Sequence, residues 1–180
     1  MKLLCTDQQL RNNLIASVYL SSALGFSCYL ITYYIKYFKG NVFVNFAAIG
    51  FSDAIAFLYI TKLSENSEIP RVMRILLVGS IVSCILFMIT QAVLPVLLPV
   101  CLVLMRMNIS GLFSYNYHYN SKLFPVLVKG AVFAISNSIA RPSQALATMI
   151  AEYAREPVIL ILIVSLVSIS VTFLVTDKSI

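Results

Sequence analysis

The chain has 180 residues, of which 60% are hydrophobic and 11% are charged, and its formal net charge at pH 7 is +6. A mean hydropathy of +0.92 excludes a soluble domain of this length, because so much apolar surface cannot be hidden behind a wet exterior. We therefore expect an all-α integral membrane protein. In such a protein, the distribution of lysines and arginines between the loops indicates the orientation in the bilayer. We expect no nucleic acid partner.

Six apolar runs of about twenty residues follow one another along the chain, each long enough to cross a ~30 Å hydrocarbon core. They are Asn13–Ile35, Val42–Thr61, Val72–Gln91, Leu94–Tyr115, Leu127–Tyr153 and Val158–Val175. Residues 1–12 form a polar N-terminal segment, residues 13–175 the six-helix transmembrane domain, and residues 176–180 a polar C-terminal tail. The connections are short, and Tyr117–Lys122 is predicted to be a polar turn.

The lysines and arginines outside these runs predict the orientation. If both termini lie on one side, that side carries Lys2, Arg11, Lys62, Arg71, Arg74, Lys122, Lys129 and Lys178, whereas the other side carries Lys36, Lys39 and Arg155. This imbalance places both termini on the cytoplasmic or matrix-like side. An anionic lipid head group is a further expected partner there, near Arg11, Arg71 and Arg74.

Three ionisable residues lie inside the predicted spans: Asp53 in the second, Arg106 in the fourth and Arg141 in the fifth. Each is costly at the centre of a bilayer unless it faces a partner or water. The third and sixth spans are almost uniformly apolar. We therefore expect the third and sixth spans to face lipid. The second, fourth and fifth spans, which carry the three ionisable residues, are expected to face protein or a cavity, so that Arg141 faces inward. Asp53 and one arginine form either a structural ion pair or part of a polar cavity for a charged ligand, with an organic anion favoured.

Weaker candidates surround these charges. Ser136 and Asn137 precede Arg141 and are expected to hydrogen-bond across helices, and Tyr29 is a candidate cavity residue. No nucleophile–base pair, phosphate-binding loop, haem histidine pair or metal-ligand spacing is present in the sequence. We expect no enzymatic activity and no cofactor.

Two segments of the sequence carry spaced matches to one family of transporters. The first is KGNVFVNFAAIGFSDAIAF, and the second is YNYHYNSKLFPVLVKGAVFAISNSIAR. They resemble patterns in the second half of major facilitator superfamily transporters, in the organic cation and organic anion branch. The matching positions are Gly40, Asn41, Asn45, Gly50, Asp53 and Ala56 in the first segment, and Leu123, Phe124, Pro125, Lys129, Gly130, Ser136, Asn137, Ala140 and Arg141 in the second.

The resemblance covers about residues 11–175 and implies that the six spans correspond to helices seven to twelve of a twelve-helix transporter. It implies that the first, second, fourth and fifth spans line a cavity and that Arg141 faces substrate. Arg106 falls where the family commonly has a lysine. Two departures stand out: the charge motif expected in the loop KLSENSEIPRVMR is largely missing, and Lys122 replaces an expected acidic residue.

Three hypotheses for function follow, since a six-helix half provides only half of a site between two halves. In the first hypothesis, the chain is a degenerate half-transporter that is kept as an accessory or structural subunit of a larger membrane complex. Alternatively, it transports a small organic ion, as a homodimer or with a separately encoded first half. A third hypothesis is a regulatory fragment that pairs with a full-length relative. The plasma membrane suits the family, and a mitochondrial or other organellar inner membrane suits an accessory subunit. The lipid bilayer and other membrane protein subunits, or a second half, are the expected partners.

Overall fold

The structure is a computed structural model, and it describes residues 8–37, 42–65, 69–93, 97–154 and 156–173. These residues form six α-helices: α1 (Gln8–Tyr34), α2 (Val42–Glu65), α3 (Ile69–Val93), α4 (Leu98–Leu123), α5 (Val126–Tyr153) and α6 (Pro157–Thr172). A short 3-10 helix, Ile35–Tyr37, extends α1. The prediction of an all-helical chain with six helices is confirmed for the described residues.

Four helical stretches are long and apolar enough to cross a membrane: Gln8–Tyr37, Val42–Ser64, Pro70–Val93 and Leu98–Leu123. Helix α6 is apolar but has only 16 residues, whereas α5 has 28 residues but carries polar side chains along its length. By length and composition the chain therefore has the helices of an integral membrane protein. Which membrane it occupies, and which side its ends face, stay predictions.

Prolines begin several of these helices. Pro157 is the first residue of α6, Pro99 lies in the first turn of α4, and Pro125 immediately precedes α5. Proline is well tolerated in a first helical turn, because the amide hydrogen that it lacks would have no partner within the helix there. The carbonyl of Pro125 also accepts the first backbone hydrogen bonds of α5, from the amides of Val128 and Lys129 at 3.0 and 3.1 Å.

The predicted turn at Tyr117–Lys122 is wrong, because α4 continues through this segment to Leu123. Two of the polar side chains that indicated a turn lie inside the bundle instead. Tyr119 and Asn120 are buried, and Asn120 accepts a hydrogen bond from Ser17 of α1. Polar residues with partners on a neighbouring helix do not need water, so the helix is not interrupted.

The helices pack around a central pair, α1 and α4. The main packed pairs are α1 with α4, α5 and α6, α4 with α2 and α3, and α3 with α6. Exchanging α1 with α4, α2 with α5 and α3 with α6 maps this set of pairs onto itself. Residues along α1 and α4 also meet in opposite order, since Ser17 contacts Asn120 and Cys28 contacts Arg106. The described chain thus consists of two three-helix units of opposite direction.

Exposed apolar surface is not confined to α3 and α6, so the expectation that the third and sixth spans are the ones that face lipid stays a prediction. Large apolar side chains are exposed on every described helix, for example Phe43 on α2, Val82 on α3 and Leu146 on α5. The reason is that α2 and α5 each pack mainly against one neighbour, α4 and α1 respectively, and leave the rest of their surface uncovered. Helices α3 and α6 pack against each other behind the central pair.

Close approach at glycine fixes two of the helix pairs. A Cβ added at Gly111 of α4 would lie 2.8 Å from Ile60 Cδ1 and 3.9 Å from the Cβ of Ala56, both on α2. A Cβ added at Gly25 of α1 would collide with the amide group of Gln144 on α5. The exchange of helices described above converts one of these contacts, α4–α2, into the other, α1–α5.

We predict that Gly111→Leu lowers the free energy of unfolding by about 1–3 kcal/mol, the usual range for overpacking. The larger side chain has no room between α4 and α2. Gly50→Leu is the matched control, because no atom lies within 4 Å of a Cβ at that position and the gain in helix propensity is the same. Unfolding by SDS titration in detergent micelles gives the comparison. Equal values for the two variants would contradict the prediction.

Candidate functional site

A cavity of about 710 Å³ opens between α1, α2 and α4. Its polar wall contains Asp53 of α2, Arg106 of α4 and Thr32 of α1, and its aromatic wall includes Tyr29 and Tyr117. The predicted site residues Asp53, Arg106 and Tyr29 therefore lie together. They come from three different helices, which is the arrangement expected for a site inside a helix bundle.

Asp53 and Arg106 form a two-point ion pair across α2 and α4. Arg106 Nε donates to Asp53 Oδ1 at 3.1 Å, and Arg106 Nη2 donates to Asp53 Oδ2 at 3.3 Å. The side chain of Arg106 is 9% exposed and that of Asp53 is 32% exposed. Because both oxygens of the carboxylate meet the planar guanidinium, the pair is fixed in direction as well as in distance. The predicted buried ion pair thus forms with Arg106.

Helix α1 uses the remaining face of the same guanidinium. Arg106 Nη1 donates to the carbonyl oxygen of Cys28 at 2.6 Å and to Thr32 Oγ1 at 3.0 Å. Thr32 Oγ1 in turn donates to the carbonyl oxygen of Cys28 at 2.8 Å. Each nitrogen of the guanidinium therefore has an acceptor within this chain. Arg106 joins three helices and is already satisfied without a ligand.

Aromatic rings form much of the cavity wall beyond the ion pair. Tyr29 and Tyr33 stack with their ring centroids 6.4 Å apart, and Phe113 meets Tyr117 edge to face at 5.1 Å. Such rings present both an apolar face and, in tyrosine, a hydroxyl group. The cavity is therefore suited to a compact apolar group with one polar end, whether that group belongs to a ligand or to a neighbouring protein.

A second cavity of about 510 Å³ continues along α2 and α4 toward their carboxyl ends and shares Phe57 and Ser114 with the first. The side of α4 that lines the two cavities carries a polar residue at every fourth position. These residues are Arg106, Ser110, Ser114, His118 and Lys122. Residues four apart lie on one face of a helix. The result is a row of polar side chains along one wall of the two cavities, from the ion pair to the end of α4.

Arg141 does not line this cavity, and its expected inward direction stays a prediction. The side chain is exposed near the middle of α5. Its one hydrogen bond within the described residues is a long one of 3.4 Å from Nη1 to Gln144 Oε1, three residues further along the same helix. The physical reason is that α5 packs along α1 and makes few contacts with α4. The flank that carries Arg141 is thereby left open.

Asn137 places Arg141 beside the cavity wall. Tyr117 of α4 donates its hydroxyl hydrogen to Asn137 Oδ1 at 3.2 Å, and Asn137 Nδ2 donates to the carbonyl oxygen of Phe133 at 3.0 Å. Arg141 follows Asn137 by one helical turn, on the same side of α5. The predicted cross-helix hydrogen bond of Asn137 is therefore present, and Arg141 lies next to the rim of the cavity, with Tyr117 between them.

Ser136 belongs to a buried polar network away from the cavity. Its Oγ lies 3.3 Å from Ser17 Oγ, and Ser17 donates to Asn120 Oδ1 at 2.7 Å. One turn along α1, Ser21 Oγ accepts from Asn116 Nδ2 at 2.8 Å. These bonds connect α1, α4 and α5. The predicted cross-helix role of Ser136 is met, whereas a role in lining the cavity is not.

The family-pattern positions have varied surroundings. Asn41 lies outside the described residues. Asn45 is buried on α2, and within the described part of the chain its Nδ2 has no hydrogen-bond partner. Gly50 and Gly130 both face open space. Pro125 immediately precedes α5, and Lys129 lies in the first turn of that helix.

Several residues that hold the site were not identified from the sequence. Thr32 and the Cys28 carbonyl complete the contacts of Arg106, and Ser17 and Asn120 hold the network next to it. On α1 a signal was present, because Ser17, Ser21, Cys28 and Thr32 recur at spacings of four and seven. This spacing is typical of a helix face that packs against other helices.

Neither a known protein family nor a curated protein matches this chain. The resemblance to major facilitator transporters therefore stays a prediction from the spaced residues of the sequence. Within residues 8–37, 42–65, 69–93, 97–154 and 156–173, no group of three or more His, Cys, Asp and Glu side chains could hold a metal ion.

We predict that Asp53→Asn lowers the free energy of unfolding by about 3 kcal/mol, because it leaves the guanidinium of Arg106 buried without a counter-charge. This is the lower end of the range for buried pairs, since the carboxylate is 32% exposed. Replacing both charges, with Asp53→Leu and Arg106→Met together, is expected to restore stability to within about 1 kcal/mol of the parent.

The comparison uses SDS titration, in the same detergent, of Asp53→Asn, of the two single variants Asp53→Leu and Arg106→Met, and of the double variant that combines these last two. Thr61→Val is a control on α2 whose hydroxyl bonds only within its own helix. A double variant whose loss equals the sum of the two single losses would contradict coupling between Asp53 and Arg106.

Proposed function

We propose that this chain is a degenerate half-transporter-like membrane protein that acts as an accessory or structural subunit, docked in a larger membrane protein complex. The observation that carries the proposal is the exposed guanidinium of Arg141 near the middle of α5. At about 1.5 Å per residue it is ~20 Å from either end of the helix. Neither membrane surface is within easy reach of the side chain.

An arginine at this depth disfavours contact with lipid tails. Insertion scales give a penalty of about 2.5–3.5 kcal/mol for arginine at the centre of a spanning helix. In a protein that retains such a residue, we expect the flank of α5 that carries it to be covered by a polar or charged group. A neighbouring membrane protein supplies such a group without requiring water in the bilayer. The open flank of α5 is therefore proposed as the docking face.

The hydrogen bonds that Arg106 makes within the chain favour a structural role over ligand binding. Its three nitrogens are engaged by Asp53, the Cys28 carbonyl and Thr32. A ligand that bound this guanidinium would have to displace a partner from it, and breaking a buried ion pair is unfavourable by several kcal/mol. An arginine that ties three helices together is what a structural subunit needs. The organellar inner membrane is the proposed location that suits this role.

The arrangement of helices supports descent from a transporter half. The exchange that relates α1–α3 to α4–α6 joins two three-helix units of opposite direction. Inverted repeats of this kind are the building pattern of many secondary transporters. A half of such a transporter lacks the second half against which it would move. A fixed partner at the former interface accounts for both the open cavity and the exposed Arg141.

Site-specific photo-cross-linking in the native membrane tests the subunit proposal. A benzophenone side chain at Ala145, four residues beyond Arg141 on the same flank, is expected to capture a discrete membrane protein after illumination. The matched position is Val82 on the outer surface of α3, where the side chain is 50% exposed and lipid is expected. Capture of the same protein at both positions, or of none at Ala145, would contradict a specific docking face.

A second function is favoured by the cavity itself, and here we propose transport of a small organic ion, preferably an anion. The cavity of about 710 Å³ is large enough for a drug-sized molecule. Tyr29 and Tyr117 offer rings and hydroxyl groups, and Arg141 beside Tyr117 offers a positive charge at the rim. In this reading, a second copy or a separately encoded first half closes the cavity.

For transport, we predict that Arg141→Ala reduces uptake of a small aromatic carboxylate into proteoliposomes at least ten-fold, with unchanged thermal unfolding of the detergent-extracted protein. Arg141→Lys keeps the charge and is expected to keep part of the activity. For a structural subunit, the same Arg141→Ala variant leaves uptake at background and lowers the yield of the native complex. Normal uptake by Arg141→Ala would rule out a substrate contact at this residue.

A further inference from the structure

Helix α5 presents two different flanks outside its contact with α1. One flank carries Arg141 together with small exposed residues, Ala134, Ser138 and Ala145, at spacings of three and four. The other flank carries Ile139 and Leu146, which are 52% and 55% exposed. Residues at these spacings share one side of a helix. The apolar flank is suited to lipid, whereas the flank with Arg141 is not.

Small residues next to Arg141 let another helix come close. Within membranes, helix pairs that approach closely have Gly, Ala, Ser or Thr at the contact, because side-chain bulk otherwise holds the backbones apart. Ala134, Ser138 and Ala145 stand before and after Arg141 along the flank. A helix that packed here would bring its own side chains opposite the guanidinium, near the middle of the bilayer.

The guanidinium has no carboxylate of its own within the described chain. Its single hydrogen bond is with the neutral amide of Gln144. The described carboxylates that form ion pairs do so elsewhere, Asp53 with Arg106 and Glu152 with Lys36. Among the described residues, Asp53 is the acidic side chain that lies near the middle of a helix as Arg141 does, and it is paired with Arg106. A second copy of the chain therefore offers no free carboxylate at this depth among the described residues, which points to a different protein.

We propose that the partner is a membrane-spanning helix of another protein that carries an aspartate or glutamate at the depth of Arg141. This inference depends on the proposed role as a docked subunit and names the chemistry of the contact. A carboxylate is the group that satisfies a guanidinium most fully, through two parallel charge-assisted hydrogen bonds. It also removes the net charge from the interior of the bilayer. The small residues on either side allow the close approach that these bonds need.

The test replaces Arg141 by an amine that can be coupled to the opposing acid. Arg141→Lys is expressed in its own membrane and treated with dicyclohexylcarbodiimide, which enters the bilayer and activates carboxyl groups there. The lysine amine attacks the activated acyl group, an amide forms, and dicyclohexylurea leaves. We expect one covalent product with a second membrane protein, linked through Lys at position 141 to an Asp or Glu within a predicted span of that protein by peptide sequencing.

Two controls define the background. The wild type lacks a coupling amine at this position, and Ile139→Lys places one on the apolar flank at nearly the same depth. We expect the product from Arg141→Lys to exceed that from either control at least five-fold. A product linked to Asp53 of the same chain, or an equal yield from Ile139→Lys, would overturn the proposal.

A third outcome separates this inference from the function on which it depends. If the benzophenone at Ala145 captures a protein but the carbodiimide gives no product, a partner is present without the opposing carboxylate, and the proposal fails while the subunit role stands. If neither reagent gives a product, both fail. Should Arg141→Lys not accumulate, co-purification with Arg141→Gln provides the readout: retention of the captured protein at the wild-type level overturns the proposal, and a ten-fold loss supports it.

Discussion

The contacts of Arg106 are the interaction on which the rest of the structure depends. One guanidinium binds the carboxylate of Asp53 on α2 and a backbone carbonyl and a hydroxyl on α1, while its own backbone belongs to α4. Inside a bilayer, such a group is tolerable only when its charge and its hydrogen-bond donors are all matched. The relative positions of three helices are thereby restricted by one side chain. The cavity is lined by these same three helices, with the ion pair in its wall.

The two equivalent helix pairs, α4–α2 and α1–α5, are held together by different interactions. The contact between α4 and α2 combines the Asp53 ion pair with the close approach at Gly111, whereas α1 and α5 are joined through Ser17, Ser136 and the approach at Gly25. An ion pair fixes direction, while small residues and hydroxyl groups mainly allow proximity. Where α2 packs on α4, the negative charge of Asp53 is balanced by the positive charge of Arg106. The positive charge of Arg141 is left over on the α5 side.

The sequence predicts the helices well and the direction of individual side chains less well. Runs of about twenty apolar residues give the number and approximate bounds of the helices, because the hydrocarbon thickness sets their length. An acid and a base within two spans also predict an ion pair. The choice of Arg106 over Arg141 as the partner of Asp53 depends on how α5 rotates around α1. Polar residues occur on more than one side of α5, with Ser136 and Gln144 buried and Ser138 and Arg141 exposed, so polarity alone does not tell which side of α5 faces α1.

The same limit explains why Tyr117–Lys122 was expected to be a turn. Local polarity favours a loop, but Tyr119 is buried and Asn120 accepts a hydrogen bond from Ser17 of α1, more than one hundred positions away in the sequence. Contacts between residues so far apart are fixed by tertiary packing, which overrides local preference. The regular spacing of Ser17, Ser21, Cys28 and Thr32 along α1 indicates that this side of α1 packs against other helices, but it does not indicate which helices those are.

The weak hydrophobicity of α5 has a consequence for how the protein is made. Helix α5 is not among the four stretches apolar enough to cross a membrane on composition, and its buried Ser136 and Gln144 face α1. During synthesis α1 leaves the ribosome long before α5. Because Ser136 lies against Ser17 and Gln144 lies against Gly25, both on α1, we expect α5 to enter a bilayer paired with α1 and not alone.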